Sequence, residues 1–312
     1  MLPLKEQTFL QILIDKGKCQ MKDFSFWAEY EGASEGSGRS EKLWLMNPDT
    51  NQIGLFKYKK DTTTTDHVSE YIAYDLAQLI GIPCAKFEIG TYKGREGSMS
   101  YNIVDHGGMT LIEGIYCISL VYNNFDADSL LDLKTEDRYS IEMIKMVLEP
   151  FKLFDDFLPI LVFDFLIGNT DRHQSNWALI MENKSFKLSP LYDNSSFFCA
   201  YVKEEKIDHY LGNDRLLWKS LVDTKSKSII RIKNRDEKQP THLDILRYLK
   251  KNYYDQTIDI VKKIETLVTE DAICAILDKY EEVLSIKRKK LISNYLLSKV
   301  QLMVETYRKK EG

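Results

Sequence analysis

Two aspartates and an asparagine carry the chemistry that this sequence most clearly specifies. Asp171 is followed five residues later by Asn176 and, after a short intervening stretch, by Asp193. Phosphoryl transfer uses one carboxylate to orient the attacking hydroxyl group, and an amide oxygen with a second carboxylate to hold Mg²⁺ against the phosphates. The order and spacing of the three residues fit those needs. We therefore predict that Asp171 is catalytic and that Asn176 and Asp193 bind the metal ion.

The segments on either side of this loop predict the elements that position it. The segments 177–180 and 186–188 are typical of two short strands around a turn, and such a hairpin would bring Asp193 back beside Asn176. Before the loop, apolar residues at helical spacing predict a buried helix that leads into it. These apolar residues are Phe154, Phe157, Leu158, Leu161, Val162 and Phe165.

A polar surface turn is the alternative interpretation of the same loop. In that case Asp171 would cap a local backbone group, and Arg172 and His173 would be solvated. The full constellation, with a matching upstream half, favours an active site. His173 itself is interpreted as a residue that packs and hydrogen-bonds to shape the loop, rather than as a base.

A lysine and a glutamate form the upstream half. Lys57 ends the predicted strand 53–58, and Glu70 lies in a predicted helix over 66–81. In protein kinases a strand lysine contacts the nucleotide phosphates and is held in place by a helix glutamate. Lys57 and Glu70 are therefore predicted to bind the cofactor, with an unrelated pair of surface residues as the alternative.

A segment rich in glycine and serine lies between two predicted strands, 24–30 and 42–46. Glycine lets backbone amides approach phosphate oxygens closely, so Gly36, Ser37 and Gly38 are predicted to contact the phosphates. The segment lacks the third glycine of GxGxxG and contains no Gly-Lys-Ser/Thr. A mobile hairpin loop without a ligand is therefore the alternative.

The order of the predicted elements indicates an α+β protein with two lobes. Strand patterns dominate the first part of the chain, and helical patterns dominate from about residue 125. We predict a two-lobed, protein-kinase-like fold: a β-rich N-terminal lobe at 1–120 with the Gly/Ser loop, and a mainly helical C-terminal lobe at 121–312 with the catalytic and metal-binding loops. A chain of 312 residues is long enough for both lobes to bury a core.

Composition and charge exclude several classes of protein. With 44% hydrophobic and 29% charged residues, the chain has the balance of a globular protein rather than a disordered one. A net charge of −4 gives no overall basic field, so direct nucleic-acid binding is not expected. The five cysteines are dispersed, odd in number and without a CxxC pair, which favours reduced thiols over a disulfide framework or a zinc site.

The N-terminal apolar run also bears on location. Residues 9–14 are short, flanked by charges and not followed by a small-residue cleavage site, so they do not resemble an export signal. No stretch approaches the length of a membrane-spanning helix. We expect a cytoplasmic protein that does not bind membranes, with secretion by a signal-less route left open.

The motifs resemble those of a known family. The residues Gly168 to Asn176, followed by Leu191-Tyr192-Asp193, are similar to the catalytic and metal-binding motifs of HipA-like serine/threonine kinases. The resemblance extends from about residue 24 to 200 and is to compact, stand-alone members. It implies ATP and Mg²⁺ as cofactors, Asp171 as the catalytic base, and contacts of Lys57 with the phosphates.

The resemblance also implies a regulatory loop and a form of control. Residues 35–42 look like the family's phosphate-binding loop, in which a serine is autophosphorylated and the enzyme is switched off. Glu35 stands where some relatives have that serine, so the candidates are Ser37 first, then Ser34 and Ser40. By the same resemblance we expect the chain to lack the additional N-terminal subdomain of full-length HipA proteins, and any regulator or antitoxin to be a separate protein.

Together these features predict an ATP- and Mg²⁺-dependent kinase that phosphorylates serine or threonine in a protein substrate and acts as a toxin or an effector. A lipid kinase is one alternative, because Asp171-Arg172-His173 with Asn176 also resembles the catalytic loop of phosphoinositide kinases. A pseudokinase that only binds a partner is another. Against the pseudokinase, every expected catalytic position is filled.

Overall fold

The computed structural model describes residues 21–31, 41–59, 65–104, 108–196 and 198–309. The chain forms two compact units, each assembled from three separate stretches of sequence. Unit 1 consists of Met1–Ile103, Tyr192–Asn213 and Thr266–Leu297. Unit 2 consists of Val104–Leu191, Asp214–Glu265 and Ser298–Gly312.

Short strands and longer helices make up the described ranges. The strands are β1 (Lys22–Asp23), β2 (Ala28–Glu29), β3 (Lys42–Met46), β4 (Ile53–Tyr58), β5 (Phe87–Tyr92), β6 (Arg95–Tyr101), β7 (Met109–Glu113), β8 (Phe125–Asp126), β9 (Leu131–Asp132), β10 (Ala178–Glu182) and β11 (Ser185–Leu188). The α-helices are α1 (Asp66–Ile80), α2 (Gly114–Val121), α3 (Ile141–Leu148), α4 (Phe154–Ile167), α5 (Ile207–Leu211), α6 (Arg215–Lys219), α7 (His242–Asn252), α8 (Tyr254–Leu267), α9 (Glu270–Asp278) and α10 (Ile286–Arg308).

Unit 1 is built on a twisted six-stranded sheet with helix α1 against it. The strand order is β1-β5-β6-β4-β3-β2, and every pair except β1 with β5 is antiparallel. One cluster of its buried side chains is mostly aromatic: Phe24, Trp27, Leu45, Phe56, Tyr92, Met99 and Tyr101. The strands predicted at 42–46 and 53–58 are confirmed to the residue.

Helix α1 is also confirmed, and its end has a clear cause. Gly81 adopts φ +76°, and its N–H bonds back to the carbonyls of Ala77 and Gln78, a left-handed cap that glycine accepts without strain. The predicted strand 24–30 is wrong in its first half. Trp27 donates its backbone N–H to the carbonyl of Phe24, which closes a turn that sends both rings into the core.

Unit 2 combines helices with a three-stranded sheet in the order β11-β10-β7. Helix α4 is buried around nearly all of its circumference, which explains its almost uninterrupted apolar sequence, and α7 packs against it. The β10–β11 hairpin turns at Asn183 and Lys184, as predicted. β7 and α2 were not predicted.

The fold is thus α+β, with mostly antiparallel sheets and helices segregated from them. Within the described ranges, no helix is both long and apolar enough to cross a membrane. None of the four described cysteines forms a disulfide: Cys84, Cys117, Cys199 and Cys274.

Candidate active site

The loop that carries Asp171 begins where helix α4 ends. Gly168 adopts φ +68° and donates its N–H to the carbonyl of Asp164, and Asn169 donates to the same carbonyl at 3.0 Å. A left-handed residue at this position turns the chain out of the helix at once, and glycine does so without steric penalty. The loop therefore starts from a rigid, buried element.

A buried arginine holds both ends of this loop. The guanidinium group of Arg172 is 1% exposed and bonds to both carboxylate oxygens of Asp164, at 2.7 and 3.0 Å. Its third donor, Nη1, reaches the carbonyl oxygen of Asn176 at 2.9 Å. Charge-assisted hydrogen bonds in this bidentate geometry are stronger than those between neutral groups. The interpretation in which Arg172 is solvated is thereby wrong.

The structure brings Asp171 and Asn176 together. The side-chain Nδ2 of Asn176 donates to the backbone carbonyl of Asp171 at 2.6 Å, and the N–H of Asp171 donates to Oδ1 of Asn169 at 3.1 Å. His173 accepts the N–H of Ser175 at Nδ1, 3.1 Å away, so it shapes the loop as predicted. Asp171 itself is half-buried, with its backbone fixed from two sides.

A buried tryptophan, Trp177, fixes the start of the hairpin that follows the loop. Trp177 donates its indole N–H to the hydroxyl of Tyr139 at 2.9 Å and packs edge-on against Phe157. Gly114 lies so close that a Cβ there would sit 2.2 Å from the Trp177 ring. Only glycine fits at this position, because any other side chain would overlap the indole.

Unit 1 brings Lys57, Glu70 and Asp193 together. The ammonium of Lys57 lies 3.3 Å from Oε1 of Glu70 and 3.0 Å from Oδ1 of Asp193. Glu70 is fully buried on α1, while the carboxylate of Asp193 is 34% exposed. Asp193 adopts φ +52°, a left-handed conformation that is uncommon for a residue with a side chain and that often marks a functional position.

Burial and charge act against each other in this group. Burial disfavours the ammonium of Lys57, but the carboxylates of Asp193 and Glu70 outweigh it and raise the pKa of Lys57 above its ordinary value. Burial raises the pKa of Glu70 to about 7, with Lys57 opposing the shift and the charge of Asp193 adding to it. Lys57 is therefore a cation held between two acids.

The two predicted metal ligands suit Mg²⁺ by their donor atoms. Asn176 uses its Nδ2 in the bond to Asp171, so its Oδ1 is the atom that a cation would contact. Asp193 offers a half-exposed carboxylate. Amide and carboxylate oxygens are the ligands that Mg²⁺ prefers. Each of the two residues therefore offers an oxygen donor of the kind that suits the ion that the sequence predicts.

The remaining predicted contacts fall outside the described residues. These are the phosphate contacts Gly36, Ser37 and Gly38 and the autophosphorylation candidates Ser37, Ser34 and Ser40. They stay predictions.

Comparison with known proteins identifies the family. The model of the HipA-like C-terminal domain matches residues 34–239, which is about two thirds of the chain. The chain belongs to the HipA-like family. A serine/threonine-protein kinase of Helicobacter pylori, CtkA, is 26% identical over 196 residues, which span 59% of this chain and 58% of CtkA. The match thus covers less than two thirds of that relative.

Solved structures agree on the fold of this HipA-like chain. The crystal structure of the proinflammatory kinase CtkA of Helicobacter pylori superposes with a TM-score of 0.77 at 17% identity, covering 94% of this chain and 100% of that one. The HipA complex of Shewanella oneidensis with HipB and operator DNA gives a TM-score of 0.58 at 13% identity, covering 99% and 74%. The predicted kinase-like α+β fold and the predicted family are confirmed.

Sequence reasoning missed residues that hold the site rather than form it. Asp164 and Arg172 were given no role, although an aspartate between Phe163 and Phe165 in an apolar helix is a readable signal. An acid in a buried helix needs a partner, and Arg172 is the next basic residue along the chain.

Proposed function

We propose that this HipA-like chain is a protein kinase that transfers the γ-phosphate of ATP to a serine or threonine hydroxyl of a protein substrate, with Mg²⁺ as cofactor. The observation that carries the proposal is the group formed by Lys57, Glu70 and Asp193, with 3.3 and 3.0 Å between the lysine and the two acids. Asp193 lies far along the chain from the other two. A strand lysine held by a helix glutamate is the arrangement that kinases use to contact phosphates.

Each residue then has a role that its environment supports. In the reaction, the bond between the γ-phosphorus and the bridging oxygen breaks, and a bond to the acceptor hydroxyl oxygen forms. Asp171 orients that hydroxyl and takes its proton, while Lys57 contacts the phosphates. Asn176 and Asp193 would hold Mg²⁺. When bound, the ion supplies charge neutralisation at the phosphate oxygens.

The relatives support the protein-kinase assignment and a partner-dependent form of control. CtkA is a serine/threonine-protein kinase by name, and the Shewanella oneidensis HipA structure is that of a toxin–antitoxin system with HipB. By analogy, we propose that the substrate is a protein and that a separate regulatory protein acts on this chain. A role as toxin or effector follows the same analogy.

Transfer of labelled γ-phosphate from Mg-ATP tests the proposal. Purified wild type, Asp171→Asn and Asp156→Asn are incubated with a generic protein substrate and, in a parallel arm, with phosphoinositide vesicles. Loss of the catalytic carboxylate should lower the rate at least about 10²-fold while nucleotide binding persists. Asp156, an exposed acid at the start of α4, is the matched control and should leave the rate unchanged.

The outcomes separate the alternatives. Label on protein in the wild type alone supports a protein kinase, and label on lipid alone would point to a lipid kinase. Binding of Mg-ATP without transfer to either would favour a pseudokinase. Equal label in Asp171→Asn would remove Asp171 from the mechanism.

Mass spectrometry of residues 31–42 in the same samples tests the regulatory loop. We propose that Ser37 is the modified residue, with Ser34 and Ser40 next. Phosphate on Ser37 in the wild type and its absence in Asp171→Asn would support self-modification. Label elsewhere in the chain, with this segment unmodified, would contradict it.

A further inference from the structure

Behind the catalytic loop, unit 2 contains an unbroken chain of buried hydrogen bonds. It runs from Lys299 to Ser226, from Ser226 to His242 and from His242 to the backbone of Asn169, with lengths of 2.9, 3.0 and 2.7 Å. All four residues are at most 1% exposed. We call this chain the relay.

The chemistry of the groups fixes the direction of each bond. The carbonyl oxygen of Asn169 can only accept, so Nε2 of His242 carries a hydrogen and donates it. In a neutral imidazole Nδ1 then accepts, and the hydroxyl of Ser226 supplies that hydrogen. The oxygen of Ser226 in turn accepts from the ammonium of Lys299. One arrangement of protons satisfies the whole relay.

Electrostatics agrees with a neutral imidazole. Burial, together with the nearby charge of Lys299, lowers the pKa of His242 to about 4, although the carboxylate of Asp164 opposes the shift. The ammonium of Lys299 also lies 4.4 Å from the centre of the Phe165 ring, a favourable cation–π distance. The relay therefore begins at a cation stabilised by an aromatic face and ends at the loop.

Asn169 connects His242 to the backbone of Asp171 through its own hydrogen bonds. Its N–H and its Nδ2 both donate to Asp164, at 3.0 and 3.1 Å, and its Oδ1 accepts the backbone N–H of Asp171 at 3.1 Å. With the carbonyl held by His242, each hydrogen-bonding group of Asn169 has a partner. Displacing His242 would therefore remove one of the four restraints on Asn169 and loosen the hold of Asn169 on the backbone of Asp171.

A contribution to folding stability does not by itself explain why these polar residues are buried. Burying polar and charged side chains is unfavourable unless every group is paired, and well-packed apolar residues often replace such networks without loss of stability. What apolar residues cannot provide is a directional bond to one carbonyl of the loop. The relay thus supplies position rather than stability.

We propose that His242 and Lys299 are positioning residues for Asp171, and that the relay sets the orientation of the catalytic loop from the helices that follow it in the chain. Both residues lie beyond the 34–239 segment matched by the family model, in α7 and α10. The expected effect on catalysis rests on the proposed function. The expected effect on the position of the Asp171 backbone rests only on the observed hydrogen bonds.

Three variants test the catalytic consequence. His242→Leu removes both ring nitrogens, His242→Gln keeps an N–H donor near the Nε2 position, and Lys299→Met keeps the length of the side chain without its charge. We expect kcat to fall about 10- to 100-fold in the leucine and methionine variants with KM for ATP unchanged, and His242→Gln to recover much of the rate. Leu246→Val, buried one turn further along α7, is the control for a general loss of packing.

Amide hydrogen exchange gives a readout that does not depend on activity. In His242→Leu, the amide of Asp171 should exchange faster than in the wild type, while helix α9 keeps its protection. An active His242→Leu with wild-type kcat, or unchanged exchange at Asp171, would overturn the proposal. An inactive wild type in which His242→Leu still speeds exchange at Asp171 would overturn the proposed function and leave the relay as a structural device only.

Discussion

The guanidinium group of Arg172 donates two hydrogen bonds to the carboxylate of Asp164, 2.7 and 3.0 Å long, and both side chains are buried. The pair joins the last turn of α4 to Arg172, the residue that directly follows Asp171. Because the third donor of Arg172 holds the carbonyl of Asn176, one side chain restrains both ends of the loop. The arginine of this motif is therefore an internal brace and not a surface residue.

Removing one member of this pair should be more harmful than removing both. Arg172→Met leaves the carboxylate of Asp164 buried without its counter-ion, and we expect the free energy of unfolding to fall by about 3–5 kcal/mol. Combining it with Asp164→Leu removes the stranded charge and should restore part of that loss. Urea denaturation of the single and double variants measures both effects.

An exposed ion pair on α7 is the control for this comparison. Arg247 and Asp244 are 62% and 46% exposed, so Arg247→Met should change stability by less than about 1 kcal/mol. If the double variant at 164 and 172 were less stable than Arg172→Met alone, the carboxylate would not be the source of the loss.

Lys57 should matter for phosphoryl transfer far more than a neighbouring lysine on the same strand end. Lys57→Met removes the cation that lies between Glu70 and Asp193, and we expect kcat to fall at least about 10²-fold because the proposed charged contact with the phosphates would be lost. Lys59 makes an exposed ion pair with Glu96 at 3.1 Å and serves as the matched control. Steady-state kinetics of Lys57→Met and Lys59→Met test this prediction, and equal kcat values for the two variants would exclude Lys57 from the site.

The stability of the protein should depend on pH through His242. The ring has a pKa of about 4 when folded and 6.5 when unfolded, so between these values the unfolded chain binds more protons. The free energy of unfolding therefore rises with pH across this window. The contribution is fully present above pH 6.5 and is lost as the pH falls toward 4, by about 3 kcal/mol in total.

A variant isolates this contribution from that of the carboxylates. His242→Gln cannot take up a proton, so its unfolding free energy should fall less between pH 7 and 4 than that of the wild type. Chemical denaturation at a series of pH values gives the difference between the two curves. Parallel curves would show that the folded and unfolded rings bind protons alike.

Elements marked by local signals could be predicted from the sequence. Helix α1 has apolar positions at regular spacing and a glycine at its end, and β3 and β4 are joined by a short polar turn. The loop that carries Asp171 follows a motif of fixed spacing. Each of these signals lies within a few residues of the structure it specifies, so no distant contact has to be known.

Features that depend on distant contacts could not be predicted. The start of α2 depends on Gly114, because the Trp177 ring packs where any other residue would place its side chain. β7 pairs with β10, which lies far along the chain. His242 reaches Asn169 across 73 positions of sequence. A periodic pattern carries no information about which remote group will meet it, so the contact of His242 with Asn169 could be found only in three dimensions.

Within unit 1, the helix that carries Glu70 is anchored at a second point, and this anchor should contribute to stability. Asp75, one turn further along α1 and buried, accepts hydrogen bonds from Lys279 at 3.0 Å and from the hydroxyl of Tyr280 at 2.9 Å. Tyr280→Phe removes one bond to a charged acceptor and should lower the unfolding free energy by about 1.5–3 kcal/mol. Asp75→Ala strands the buried ammonium of Lys279 and should lower it by about 3–5 kcal/mol.

The two changes should not add, because they act on one carboxylate. Once Asp75 is an alanine, Tyr280→Phe removes a bond that no longer exists, so the double variant should be about as stable as Asp75→Ala alone. Thermal and urea denaturation of the four proteins closes the cycle. Full additivity would mean that the hydroxyl of Tyr280 stabilises unit 1 by a route other than its bond to Asp75, because phenylalanine keeps the ring and its contact with Tyr71 at 5.3 Å.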